Sequence, residues 1–165
     1  MKNLEANLNA LMIWILAGVL FGAFGVQYFL QEEPCPLCLL QRIGMLGVAT
    51  GGILNIQFGC QRSHYGLILL SCLCGASVAI RQITLHICPG FPQFGLPVFG
   101  LSLYTWSFLV FACTILLTAI LLILHTPQKP AKNLFQKLAI YLILLATFGN
   151  VIWTLIECGL GGCPE

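Results

Sequence analysis

Cys35 and Cys38 stand two residues apart in Pro34-Cys35-Pro36-Leu37-Cys38, and Gln41-Arg42 follows directly. Thiols at this spacing can cycle between dithiol and disulfide, and a nearby cation or a helix N-terminus favours the reactive thiolate. Arg42 lies one helical turn past Cys38 and can supply such a charge. Next to a quinone carbonyl it would stabilise the negative charge that develops on the ring oxygen. Plainer readings of the same residues are a structural disulfide, part of a zinc site with Cys158 and Cys163 as the other thiolates, and an arginine that snorkels to the lipid headgroups. A second polar group is Arg81, Gln82 and His86, in which Gln82 and His86 are four residues apart and share a helix face. These three either line the same pocket as the dithiol or satisfy polar groups between helices.

The elements that must position these residues are membrane helices. The 165 residues are 59% hydrophobic and 7% charged, whereas soluble domains are charged at about one residue in four. The expectation is an all-α integral membrane protein, monomeric and with no nucleic-acid partner. Helices need about 20 apolar residues to cross the hydrocarbon. Five stretches qualify, giving spans at about 8–30, 41–58, 65–87, 101–124 and 137–157 within a single membrane domain, 1–165. The first has Lys2 before it but is longer than the 7–15 residues of a signal-peptide core and lacks a small-x-small cleavage site, so it reads as a retained helix.

Lysine and arginine set the expected orientation. With the N-terminus cytoplasmic, Lys2, Arg62, Lys129, Lys132 and Lys137 fall inside, against Arg42 and Arg81 outside. The outer segments are then 31–40, 88–100 and 158–165, and the C-terminus is outside. This sorts the nine cysteines: Cys35, Cys38, Cys88, Cys158 and Cys163 outside, Cys60 inside, and Cys72, Cys74 and Cys113 within spans as small apolar side chains. Disulfides persist in the oxidising space outside a bacterial inner membrane. Pro36 pushes Cys35 out of the α region, so the motif begins as an extended turn and leads into helix near Leu39. Gly44, Gly47 and Gly51 let a neighbouring helix approach closely. Tyr104 and Trp106 belong to an outer aromatic belt, and the glycine-rich tail from Glu157 is not helical.

In this order the motifs resemble those of the bacterial DsbB family of membrane disulfide-forming quinone reductases. Pro34 to Arg42 is similar to that family's cysteine pair and following arginine, Arg81-Gln82 through His86 to the end of its third helix, and Val98 to Trp106 to the start of its fourth; the likeness runs over about residues 8–125. It implies a four-helix transmembrane bundle that holds ubiquinone or menaquinone near the outer surface. Cys38 would be the thiolate nearest the quinone, Cys35 its exchangeable companion and Arg42 the quinone-side arginine. A second cysteine pair would take electrons from a periplasmic thioredoxin-like oxidase resembling DsbA.

Two features depart from that pattern. The family's second pair usually lies between helices 3 and 4, where this chain has Cys88 alone, and the family commonly stops at four spans, where this chain has an additional fifth C-terminal transmembrane helix ending near Cys158 and Cys163. Either Cys158 and Cys163 form the shuttle disulfide, their short glycine-rich spacer allowing the roughly 5.5 Å Cα separation a disulfide needs, or Cys88 pairs with one of them. Connectivity stays open at this level.

Overall fold

The structure is a computed structural model that describes residues 4–30, 35–87, 97–125 and 133–158. Five helices make up most of them: α1 (Leu4–Leu30), α2 (Pro36–Phe58), α3 (Arg62–Ile87), α4 (Leu103–Ile123) and α5 (Leu134–Cys158). Each is long and apolar enough to cross a membrane, and together they form an all-α five-helix transmembrane bundle. Backbone N–H and C=O groups have no water to bond in hydrocarbon, and the helix satisfies them within one segment.

Neighbours in sequence pack as neighbours in space. α1 lies on α2, α2 on α3 and α3 on α4, while α1 and α4 barely meet; α5 sits outside the four, mainly against α1. The apolar centre is filled by Ile13 and Leu16 of α1, Val48 of α2, Ile68 and Cys72 of α3 and Phe111 of α4, all essentially buried. Cys74 and Cys113 are exposed on the outside of the bundle and Cys60 is buried in the α2–α3 connection.

The α2–α3 seam is close because glycines line it. A Cβ on Gly44 would lie 3.1 Å from the Gly75 backbone, nearer than most side chains tolerate. Gly75 in turn makes room for the Phe111 ring, against which any added Cβ would collide. Small residues at such crossings let backbones approach and gain van der Waals contact.

A polar cluster closes the end of the bundle away from the dithiol. Asn9 Nδ2 donates to Tyr65 Oη at 3.1 Å, and Asn55 Nδ2 donates to Asn9 Oδ1 at 3.0 Å. Asn55 Oδ1 lies 3.1 Å from His64 Nδ1, and Glu5 Oε2 lies 3.3 Å from His125 Nδ1. These contacts tie α1, α2, α3 and the end of α4 together where their apolar faces run out.

Helices α1, α3 and α5 begin three or four residues before the spans read from the sequence, and α2 starts at Pro36 instead of near Leu39. Cys35 is extended, at φ −68° and ψ 127°, as a residue before proline should be. Pro36, however, is well suited to a first helical position, since it lacks only an N–H that would have had no helical partner.

Gly75→Ala should destabilise the bundle by about 1–3 kcal/mol through overpacking against Phe111. Thermal unfolding in detergent checks this, with Gly66→Ala, where a Cβ would meet open space, showing no loss.

Candidate functional site

Cys35 forms the N-cap of α2 and Cys38 lies in its first turn, so both sulfurs sit at the end of the helix where unpaired N–H groups and the dipole favour negative charge. The Cys38 thiol hydrogen-bonds the Cys35 sulfur and lowers the Cys35 pKa to about 6; partial burial opposes this, while the N–H groups of Cys38 and Leu37 and the charge of His86 assist. Hydrogen bonds to the ionised form favour it. Cys35 is thus the readily ionised member of the pair.

α3 supplies the group that joins the two sulfurs. Gln82 is fully buried, and its Nε2 lies 3.5 Å from Cys35 Sγ and 3.4 Å from Cys38 Sγ. Its orientation is set from α2, since Gln41 Nε2 donates to Gln82 Oε1 at 2.6 Å. Cys38 Sγ also donates to that oxygen at 3.9 Å, so the Gln82 amide meets the thiols through both its nitrogen and its oxygen. His86 Nδ1 lies 2.7 Å from the Gln82 carbonyl oxygen, and its ring stacks on Tyr104 of α4 with centroids 4.9 Å apart.

A cavity of about 360 Å³ opens beside these residues, between α1, α2 and α4. Its wall is mostly aliphatic and aromatic, with Cys35, Cys38, Arg42, Gln82, Gln27 and Ser107 as the polar positions that matter here. Its size falls within the roughly 300–1,000 Å³ of small-molecule sites, which combine an apolar lining with a few placed polar groups. Ser107 Oγ is buried there and has no hydrogen-bond partner among the described residues. Arg42 Nη1 donates to Asn150 Oδ1 of α5 at 3.0 Å, and Nη2 to the Ala23 carbonyl of α1 at 3.4 Å. The turn before α4 borders the same space: Val98 and Leu101 pair through their backbones, and Trp106 Nε1 donates to the Val98 carbonyl at 2.9 Å.

Of the residues singled out from sequence, Cys35, Cys38, Arg42 and Gln82 meet in this wall, and His86 supports it from behind. Arg81 is exposed and is not among the lining residues. Cys88 and Cys163 lie outside the described residues, as does the side chain of Cys158. Sequence reasoning missed Gln41, Ser107 and Asn150. Their signal was present, since a polar side chain inside a membrane-length apolar run is costly and usually has a partner or a task.

The low Cys35 pKa has a directly measurable sign. Alkylation of Cys35 in the reduced protein should rise as pH climbs through about 6, and level off where an ordinary cysteine, at about 8.5, has barely begun to ionise. Cys38→Ala removes the largest stabilising hydrogen bond and should move the midpoint upward, as followed by mass spectrometry of the Cys35 peptide.

Comparison with known proteins points the same way. The family model described as disulfide bond formation protein DsbB matches residues 5–94. Disulfide bond formation protein B of Chromobacterium violaceum is 40% identical over 85 residues, covering 48% of this chain and 51% of that protein. Disulfide bond formation protein B 1 of Burkholderia lata is 35% identical over 95 residues, covering 53% of each chain. The Cupriavidus necator protein of the former name is 35% identical over 91 residues, covering 52% of this chain and 56% of its own. The chain therefore spans about half the length of the curated relatives it matches, and no solved structure matches it. Because the matched region takes up more than half of the chain and runs from α1 past the dithiol and Arg42 to beyond the end of α3, this protein belongs to the DsbB family of membrane disulfide bond formation proteins.

Proposed function

We propose that the protein is a protein-disulfide oxidoreductase that reoxidises the dithiol of a periplasmic thioredoxin-like, DsbA-like partner and delivers the electrons to ubiquinone or menaquinone. The observation that carries this reading is the shared wall: a dithiol, an arginine and an unpartnered serine hydroxyl around one apolar cavity in a membrane bundle. These residues fit a quinone. The lining suits an apolar ring, and Arg42 and Ser107 are hydrogen-bond donors for its oxygens. A quinone bound there would supply the acceptor for two electrons and two protons.

The relay begins with a thiolate of the reduced partner attacking a shuttle disulfide, formed by Cys158 and Cys163 or by Cys88 with one of them. A mixed disulfide forms, the partner's second thiolate breaks it, and the partner leaves oxidised. Such exchange proceeds through the thiolate. The shuttle dithiol reduces the Cys35–Cys38 disulfide in the same manner. Reduced Cys35 and Cys38 then release two electrons and their two protons towards the cavity and return to the disulfide. The balance is one partner dithiol and one quinone giving one partner disulfide and one quinol.

Each site residue has a task in this scheme. Gln82, held by Gln41, stabilises sulfur as it becomes negative, and Arg42 stabilises negative charge on the acceptor oxygen. The lysine and arginine bias supports a cytoplasmic N-terminus, with the dithiol at the periplasmic side of a bacterial inner membrane. Outer thiols there can meet the soluble partner while the cavity remains within reach of the membrane quinone pool.

Purified protein mixed with a reduced thioredoxin-like partner and quinone should consume the quinone absorbance, and Cys38→Ala should reduce turnover to background. Absence of quinone reduction by wild type with any such partner would overturn the assignment. Cys163→Ala should also stop turnover if the tail carries the shuttle disulfide; full activity in that variant removes the tail from the electron path.

A further inference from the structure

The fifth helix lies outside residues 5–94, the region the family match covers, yet its Asn150 side chain reaches Arg42, a residue of the cavity wall. We propose that Asn150 is a positioning residue that aims the Arg42 guanidinium, so that α5 tunes the quinone-side arginine; this rests on the quinone-reducing reading above.

The argument starts from the spacing along α5. Gln136, Ala139, Ile143, Ala146 and Asn150 are all buried, and they follow one another at alternating intervals of three and four. That is the seam of a helix packed lengthwise on a neighbour. Its middle is apolar, with an alanine on either side of Ile143, and both ends are polar. Gln136 Nε2 donates to Asn7 Oδ1 of α1 at 2.9 Å, and Asn150 meets Arg42 of α2 at the other end. A polar residue in such a seam specifies register, because a slip strands it in apolar surroundings.

The Asn150 amide is itself oriented. Its Nδ2 donates to the Ala146 carbonyl at 2.8 Å, which turns Oδ1 outward to accept from Arg42 Nη1 at 3.0 Å. The Ala23 carbonyl accepts from Nη2. Acceptors from two helices thus engage two nitrogens of one planar group and define its plane beside the cavity. Aromatic packing keeps α5 in place at this level, with Trp153 edge-on to Phe24 at 5.5 Å and to Tyr28 at 5.4 Å.

The test is a double-mutant cycle on the full-length protein, measuring quinone KM and kcat with ubiquinone and a reduced thioredoxin-like partner. Asn150→Leu removes the acceptor while keeping the branched shape of the side chain in an apolar seam, so its melting temperature should not fall. Loss of a hydrogen bond to a charged group should raise the quinone KM roughly tenfold. Asn150→Ala, which adds no bulk to the seam, should raise KM in the same way. Arg42→Gln should also raise KM, and the double variant Arg42→Gln with Asn150→Leu should be no worse than Arg42→Gln alone. Gln136→Leu, at the far end of the seam, should leave KM unchanged.

Wild-type KM in both Asn150 variants, or a double variant whose defect is the product of the two single ones, overturns the proposal. An equal KM defect in Gln136→Leu does so too, by showing that α5 docking alone is responsible. If wild type reduces no quinone, the underlying functional reading fails; if wild type is active and Arg42→Gln impaired while Asn150→Leu is normal, only the role of Asn150 fails.

Discussion

Hydrocarbon offers no hydrogen bond, so a polar side chain carried into the bundle is costly unless it finds a partner on another helix or in its own backbone. This constraint organises the molecule. Many of the polar contacts between helices gather at two levels, with Glu5, Asn9, Asn55, Tyr65, His64 and His125 at one and Gln41, Gln82, Arg42 and Asn150 at the other. Between them lies an apolar waist built around Ile13, Leu16, Val48, Ile68 and Phe111. The first cluster ties four helices together. The second faces a cavity, and it is there that the thiols stand.

The second cluster depends on close helix packing. Gln82 reaches both sulfurs because α3 approaches α2 closely along the seam where Gly44 meets Gly75. A wider crossing would leave the buried amide without its partners, which costs far more than a hydrogen bond returns. Gln41 then holds that amide against the thiols. The glycines, remote from any chemistry, are therefore part of what presents a donor to sulfur.

The dithiol adds a local device to this tertiary one. Proline at the first position of α2 starts the helix immediately after Cys35, so the helix N-terminus and its free N–H groups fall on the motif itself. The Cys35 thiol is ionised more easily than an ordinary cysteine, with its neighbour Cys38 as the main cause and burial working against it. The spacing of the two cysteines brings that neighbour within reach, and the backbone N–H groups of the first turn add to its effect. Arg42, one turn further on, is placed by helical periodicity alone, but its orientation is not.

Membrane class, helical architecture and the number of spans were legible in the sequence, because hydropathy and length are properties of each segment taken separately. So was the meeting of Cys35, Cys38 and Arg42, which share one helix end. The grouping of Arg81, Gln82 and His86 was legible only in part: they are adjacent in sequence, but one faces outward, one faces the sulfurs and one stacks on Tyr104. Gln41, Ser107 and Asn150 are polar residues in apolar runs, but nothing within their own helices names what they meet. The sequence by itself determined which residues could do chemistry and the helices that carry them, since periodicity and hydropathy are local. Only the tertiary structure decided that α3 brings its amide to the thiols and α5 its asparagine to the arginine, because which helix faces meet depends on how all five pack together.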